Sequence, residues 1–286
     1  MSKPITSPQK QAIADALRQF CTLQGSQNQA AKVLRVSAAT VSHILAGQFD
    51  DISDDMLRTI AASVNHSANQ WNIAPTATFR QLSFLLTNAQ ADSLCLAIVG
   101  AAGTGKTQTI RTYAAAHPRT YHLICSEYWN RRIFIHQLAS ALGIRHLPST
   151  PDQIDAIIRR LRAIDHPILI LDEADKLADQ VLHFFITLYN HLESHCALIL
   201  IATDFLRLRI LRGLRLGRRG YEEIYSRVGR RFIPLEPVTP DDITIVCQAN
   251  HLTESADIRP VITSADADLR RVRRAVWAHH KSTLND

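Results

Sequence analysis

The sequence predicts an α/β protein built on a three-layer parallel sheet, with a small all-α segment ahead of it and a helical unit behind it. Three observations carry that prediction. Short apolar runs at residues 94–99, 121–125, 168–171, 197–202 and 231–234 alternate with helical stripes such as Ile133, Leu138, Leu142 and Ile154, Ile157, Ile158, Leu161. Strands that read apolar on both faces, with helices between them, belong to a parallel sheet covered on each side. The run Gly100-Ala101-Ala102-Gly103-Thr104-Gly105-Lys106-Thr107 stands between the first strand and a helical stretch that opens at Gln108. Finally, Pro237 and Pro240 end the alternation, and the chain beyond them has helical periodicity.

From the N-terminus, residues 1–66 read as short helices. Ile13, Leu17 and Phe20 share one face, as do Ala30, Val33 and Leu34. A helix over 27–34, a turn at Arg35-Val36-Ser37 and a second helix over 38–46 form a helix-turn-helix. Ser37 is placed to cap the second helix and Gly47 to end it in the left-handed region. Residues 67–78 are rich in Asn, Ser, Ala, Pro and Thr and read as a linker. Helical spacing resumes at Phe79, so 79–238 is the sheet-bearing core and 239–286 the helical unit after it.

Composition narrows the possibilities. Hydrophobic residues are 46% of 286 and charged ones 20%, a globular balance. No apolar run approaches the roughly 20 residues that span a bilayer, and the first 20 residues lack a secretory signal's apolar centre, so no membrane association and a cytoplasmic address are expected. The five cysteines are dispersed, which favours buried thiols over disulfides or zinc. His191 and His195 have metal-like spacing but no third ligand nearby. The net charge is +6, and arginine recurs from Arg207 to Arg231 against only Glu222 and Glu223, which points to an anionic partner.

The chemistry resides in a few strand ends. The residues Gly100 to Thr107 match a phosphate-binding loop in its required strand–loop–helix context, and they and Gln108 are the expected ATP contacts. Its glycines let backbone N–H groups converge on phosphate oxygens, and the helix N-terminus adds a positive dipole end. Lys106 is expected to reach the β- and γ-phosphates and the Thr107 hydroxyl to bind Mg²⁺, with ATP as the nucleotide. The strand at 168–171 ends in Asp172-Glu173. Asp172 is suited to hold Mg²⁺ directly or through water, and Glu173 to polarise the attacking water. Thr203, at the end of the 197–202 strand, is a candidate for positioning that water. Arg227, just before the last strand, is placed to reach a neighbouring subunit's γ-phosphate, with Arg230 and Arg231 as competitors. Arg270 in the last unit is placed to fold over bound nucleotide.

These landmarks, in this order, resemble the AAA+ ATPases. Within them, Leu171-Asp172-Glu173-Ala174-Asp175-Lys176-Leu177 and Tyr221-Glu222-Glu223-Ile224-Tyr225-Ser226-Arg227-Val228 are similar to the phage Mu B transposition proteins and related transposon target-selector ATPases. The resemblance implies an AAA+ core with a helical lid. It implies ATP-dependent, largely sequence-independent binding to double-stranded DNA as a helical filament or ring, subunit-interface ATP sites, and delivery of target DNA to a transposase that is stimulated in turn. The chain departs from the pattern in having Thr203 where asparagine is expected. Two alternatives share the core: a helicase-loader or replication-initiator ATPase, and a transcription regulator that uses ATP to switch its helix-turn-helix.

Three groups are candidate DNA contacts. Thr40, Ser42 and His43 would face the major groove from the second helix of the helix-turn-helix. Residues 1–70 hold six Lys/Arg against five Asp/Glu, so this segment should bind DNA weakly alone, and protein contact is as well supported. In the core, Trp129, Asn130, Arg131 and Arg132 offer an aromatic, an amide and two cations at a helix start. Arg159, Arg160 and Arg162 form a further set.

Overall fold

Contacts in the computed structural model, which describes residues 5–49, 51–68, 71–145 and 147–282, divide the chain into two units, Met1–Asn72 and Ile73–Asp286. The first holds α1 (Ser7–Leu23), α2 (Gln27–Leu34), α3 (Ala38–Leu45) and α4 (Asp54–Ala68). Leu17, Phe20, Ala30, Val41, Ile44, Leu57, Ile60 and Val64 form its core. The helix starts are encoded locally. Thr6 and Gln9 make a reciprocal capping box, and Ser26 and Ser37 accept from the backbone N–H of Gln29 and Thr40. Arg35 takes the left-handed cap of α2 (φ 56°), and Gly47 (φ 75°) follows α3, which ends at Leu45. Residues 69 and 70 of the expected linker lie outside the described residues, and 71–76 form no regular structure.

The second unit opens with α5 (Ala77–Ala91), two residues ahead of the spacing that starts at Phe79. The earlier start has a cause: the Thr76 hydroxyl accepts from Phe79 N at 3.1 Å, and Asp242 accepts from Ala77 N at 2.7 Å. There follow β1 (Cys95–Val99), α6 (Lys106–Ala116), β2 (Thr120–Ile124), α7 (Arg131–Ala141), α8 (Thr150–Arg162), β3 (Ile168–Asp172), a 3-10 turn (Ala174–Lys176), α9 (Asp179–Leu192), β4 (Ala197–Ala202), α10 (Asp204–Arg215), α11 (Tyr221–Arg227) and β5 (Phe232–Pro234). The chain then forms α12 (Pro240–Ala249), α13 (Ser255–Ala265) and α14 (Leu269–Ser282), the three helices beyond the sheet.

The five strands are all parallel, in the order β2-β3-β4-β1-β5. Every residue of β3 and β4 is buried, which explains why both read as continuous apolar runs. Alternation still sorts their side chains. Leu169, Leu171, Leu198 and Leu200 pack with α7, α8 and α9 on one face, whereas Ile168, Ile170, Ile199 and Ile201 pack with Leu82, Leu86 and Ile110 of α5 and α6 on the other. The result is helix, sheet, helix. β1 lies beside β4 and β4 beside β3, so the C-terminal ends of these strands form one edge, where ligands of open parallel sheets bind.

Candidate nucleotide site

The chain leaves β1 at Val99 and turns through Gly100–Gly105 before α6 begins at Lys106, two residues earlier than the stretch from Gln108 read as helical. Gly103 (φ 80°) and Gly105 (φ 92°) adopt left-handed backbone that L side chains rarely tolerate. The Gly100 N–H donates to Ala202 O at 3.1 Å, which anchors the loop to the end of β4. Thr104, which is buried, donates its hydroxyl to Ala101 O at 3.1 Å. Lys106 Nζ donates to Gly100 O at 2.8 Å and to Ala101 O at 2.7 Å. Its ammonium is thus stored against loop carbonyls. Burial holds the Lys106 pKa below its ordinary value, Arg270 adds to that, and Asp172, Asp175 and Glu173 oppose it.

Asp172 ends β3 and is 1% exposed. Its Oδ2 accepts from the Thr107 hydroxyl at 2.7 Å, its Oδ1 accepts from Glu173 N at 3.0 Å, and His122 Nε2 from β2 lies 3.3 Å from Oδ2. The pairing of the Thr107 hydroxyl with the Asp172 carboxylate brings two hard oxygen donors together from separate elements. Mg²⁺ favours such oxygens and keeps waters and phosphates for the rest of its shell. The residues present fit the ion.

Glu173 follows with left-handed backbone (φ 57°, ψ 38°), and its carboxylate pairs with Lys176 Nζ at 2.6 Å. Thr203 is the N-cap residue of α10, yet its hydroxyl is donated to Asp175 Oδ2 at 2.6 Å. The polar group at the end of β4 is therefore a Thr203–Asp175 pair. Asp175 and His122 were both missed in the sequence. Asp175 lies within the Asp-Glu-Ala-Asp string but has no partner visible there, and a histidine in a strand carries no signal of what faces it.

The last helices contribute from above the loop. Leu269 N donates to Gly103 O at 2.9 Å, and the Asp268 carboxylate accepts from Arg270 N at 2.7 Å while lying where a side chain on Gly103 would stand. Arg270, exposed, is thereby brought to the same end of the sheet as Lys106, Asp172 and Glu173. Arg227 is not. Its guanidinium lies 5.0 Å from the Tyr189 ring centroid and acts on Cys95, the first residue of β1, at the far edge of the sheet from the loop. Its Nε is buried with no hydrogen-bond partner, while Arg230 and Arg231 are exposed.

Among the DNA candidates, Trp129 is a correction. It is 6% exposed and packs against Phe134 in the main core, so the exposed aromatic at this strand end is Tyr128, at 74%. The alternating pattern of a strand does not continue into the turn after it, and the sequence could not say which of two adjacent aromatics turns inward. Asn130 uses its Oδ1 to accept from Ile133 N at 3.0 Å as the cap of α7. Arg131 lies over the Phe184 ring, and Arg132, Arg159 and Arg160 are exposed. Arg162 donates to His191 O at 3.0 Å. In the first unit, Thr40 shares its hydroxyl with Ser37 at 2.8 Å, and Ser42 and His43 are exposed on α3.

A parallel sheet with a phosphate loop at the end of a central strand, Asp-Glu at the end of the strand two places away, and a helical unit folded over the loop define a P-loop protein of the AAA+ class. The family model described as an AAA domain matches residues 89–210. The Mu-like prophage FluMu DNA transposition protein B of Haemophilus influenzae is 26% identical over 258 residues, covering 86% of this chain and 88% of that protein. Both comparisons point the same way: the core is similar to AAA domains, and most of the chain is similar to a Mu-like transposition protein B. Among solved structures, NtrX from Brucella abortus matches with a TM-score of 0.47 and 12% identity over 82% of this chain, which spans 57% of the length of NtrX. No described helix is long and apolar enough to cross a membrane.

Proposed function

We propose that this protein hydrolyses ATP to ADP and phosphate, that ATP binding assembles it on double-stranded DNA with little regard to sequence, and that the assembly recruits or stimulates a transposase. The observation that carries the nucleotide half is the Thr107 hydroxyl on Asp172 Oδ2 at 2.7 Å, with Glu173 next in the chain. The transposition half rests on the relative named as a transposition protein B, which matches along both units.

In this mechanism the loop N–H groups and Lys106 hold the β- and γ-phosphates, and Lys106 exchanges its two carbonyl partners for phosphate oxygens. Thr107 and Asp172 would hold Mg²⁺, which would supply positive charge to offset that of the phosphates. Glu173 must first part from Lys176. Its carboxylate then orients a water in line with the γ-phosphorus and takes that water's proton as the bond to the ADP oxygen breaks. Arg270 contributes positive charge from the lid. Arg227 sits beside Cys95 at the start of β1, and its assigned role is toward a second copy's nucleotide in a filament or ring.

The DNA surface is assigned to Arg131, Arg132, Arg159 and Arg160 of the core, with Asn130 as a cap and Tyr128 in place of Trp129. Ser42 and His43 of α3, with the half-buried Thr40, are a separate candidate surface for DNA or protein. The deciding experiment compares affinity for mixed-sequence duplex DNA with and without ATP, in wild type and in Glu173→Gln. ATP should tighten binding at least about tenfold, and the variant should stay bound for longer because hydrolysis is slowed. Equal, weak binding in both states would refute the DNA half. Selection of one operator sequence from random duplexes would favour the regulator alternative, and co-purification with a replicative helicase the loader alternative.

A further inference from the structure

The turn that carries Glu173 is gripped from outside by a single arginine of α10. Left-handed backbone at a non-glycine residue persists only where its surroundings impose it, and Glu173 adopts it directly ahead of the 3-10 turn Ala174–Lys176. Arg209 reaches across to the chain just beyond. Its Nη1 donates to Leu177 O at 2.6 Å and to Asp175 O at 3.3 Å, its Nη2 pairs with the Asp179 carboxylate, and its Nε donates to the Tyr221 hydroxyl at 3.4 Å. Tyr221 in turn donates to Asp179 Oδ1 at 2.8 Å, and its ring fills the space above Gly213, one turn further along α10. The Arg209 side chain is only 17% exposed, so its donors had to find acceptors within the fold. At the head of the same helix, the Thr203 hydroxyl holds the side chain of Asp175. Between them, Thr203 and Arg209 bind both the side chain and the backbone of the segment that follows Glu173.

We infer that Arg209 is a positioning residue for Glu173: by holding the carbonyls of Asp175 and Leu177 it sets the turn that aims the Glu173 carboxylate at the attacking water. This rests on Glu173 being the group that activates water. The Nε, Nη1 and Nη2 of Arg209 are each taken up by protein acceptors. Its effect must therefore appear in turnover and not in nucleotide affinity. A planar guanidinium satisfies two carbonyls, a carboxylate and a hydroxyl at once, whereas an ammonium on a flexible stem can keep the Asp179 pair but not the whole set.

The test is Arg209→Lys in the full chain, read by steady-state ATPase, by equilibrium affinity for a fluorescent ATP analogue, and by thermal melting. The expected result is a kcat about tenfold lower or more, since small misplacements of a reacting group are costly. KM and analogue affinity should stay within about twofold, with the melting temperature nearly unchanged. Arg209→Met should lower kcat further, and if that variant fails to fold, Arg209→Lys decides alone. The Glu173→Gln background separates positioning from general damage. There, adding Arg209→Lys should cost little more, because the group it positions no longer takes a proton. Wild-type turnover in Arg209→Lys overturns the inference. So does a parallel loss of kcat and affinity, or a further tenfold loss in the double variant. Normal turnover in Glu173→Gln alone would instead remove the assignment of Glu173 on which the inference stands.

Discussion

Gly103→Ala tests the junction of phosphate loop and lid with a single methyl group. Two costs are separable. Gly103 has φ 80°, and left-handed backbone costs an L residue about 1–2 kcal/mol. The new Cβ would also run into the Asp268 carboxylate, which caps α14 by accepting from Arg270 N at 2.7 Å. Losing such a cap costs about 1 kcal/mol. The sum, about 2–3 kcal/mol, must be restored by nucleotide if the free loop relaxes away, so ATP affinity should fall about 30- to 150-fold. Gly143→Ala is the control. That glycine also has positive φ (68°), but nothing lies within 4 Å of its added Cβ, so it should lose about 1–2 kcal/mol of stability and no ATP affinity. Titration of a fluorescent ATP analogue and thermal melts of both variants give the comparison. ATP affinity of Gly103→Ala within threefold of wild type, or equal losses in the two variants, would mean that the Gly103–Asp268 junction does not govern nucleotide binding.

Four further outcomes follow from the same contacts. Lys106→Ala should abolish ATP binding, as measured by calorimetry; retained affinity would mean that the loop is misassigned. Asp242→Ala should destabilise the protein by about 2–4 kcal/mol in urea melts, because this buried carboxylate accepts from Ala77 N and from both Thr239 N and Thr239 Oγ1, capping α5 and α12 together. Burial raises the Cys95 and Cys196 thiols to about 12 and Cys247 to about 11, so an Ellman assay at neutral pH should find these three unreactive in native protein and reactive after denaturation. Burial would raise the Asp179 pKa, but hydrogen bonds from Arg209 and Tyr221 outweigh it and leave the carboxyl below its ordinary 3.8. A depressed acid stabilises the fold above its unfolded pKa and loses that contribution as pH falls. The melting-temperature gap between wild type and Asp179→Asn should therefore be widest well above pH 3.8 and narrow as pH falls through the carboxyl's depressed pKa.

Much of the candidate site was legible because its residues carry local signals. The loop from Gly100 to Thr107 must bend where only glycine bends easily, and Gly103 and Gly105 do so. The Asp172-Glu173 pair follows a run so apolar that it had to be a buried strand, and Asp172 is its last residue. Other assignments failed or stayed open where the signal was shared between neighbours. Trp129 and Tyr128 are adjacent in a turn without periodicity, and packing alone put the indole inside. The hydroxyl of Thr203 looked free to meet water because its partner, Asp175, is 28 residues away.

The amino-acid sequence by itself determined the parallel sheet, the order of its helices and strands, the phosphate loop and the carboxylates that face it. Each of these depends on side-chain period, glycine and proline placement, or residue type within a few positions. The tertiary structure alone decided which groups complete the site: His122 and Thr107 on Asp172, Thr203 on Asp175, Arg209 on the turn after Glu173, Asp268 against Gly103, and Arg227 at the opposite edge. Those pairings join strands and helices that are distant in the chain. They exist because β3 and β4 lie side by side and the last helices fold back over β1, a proximity that no local pattern encodes.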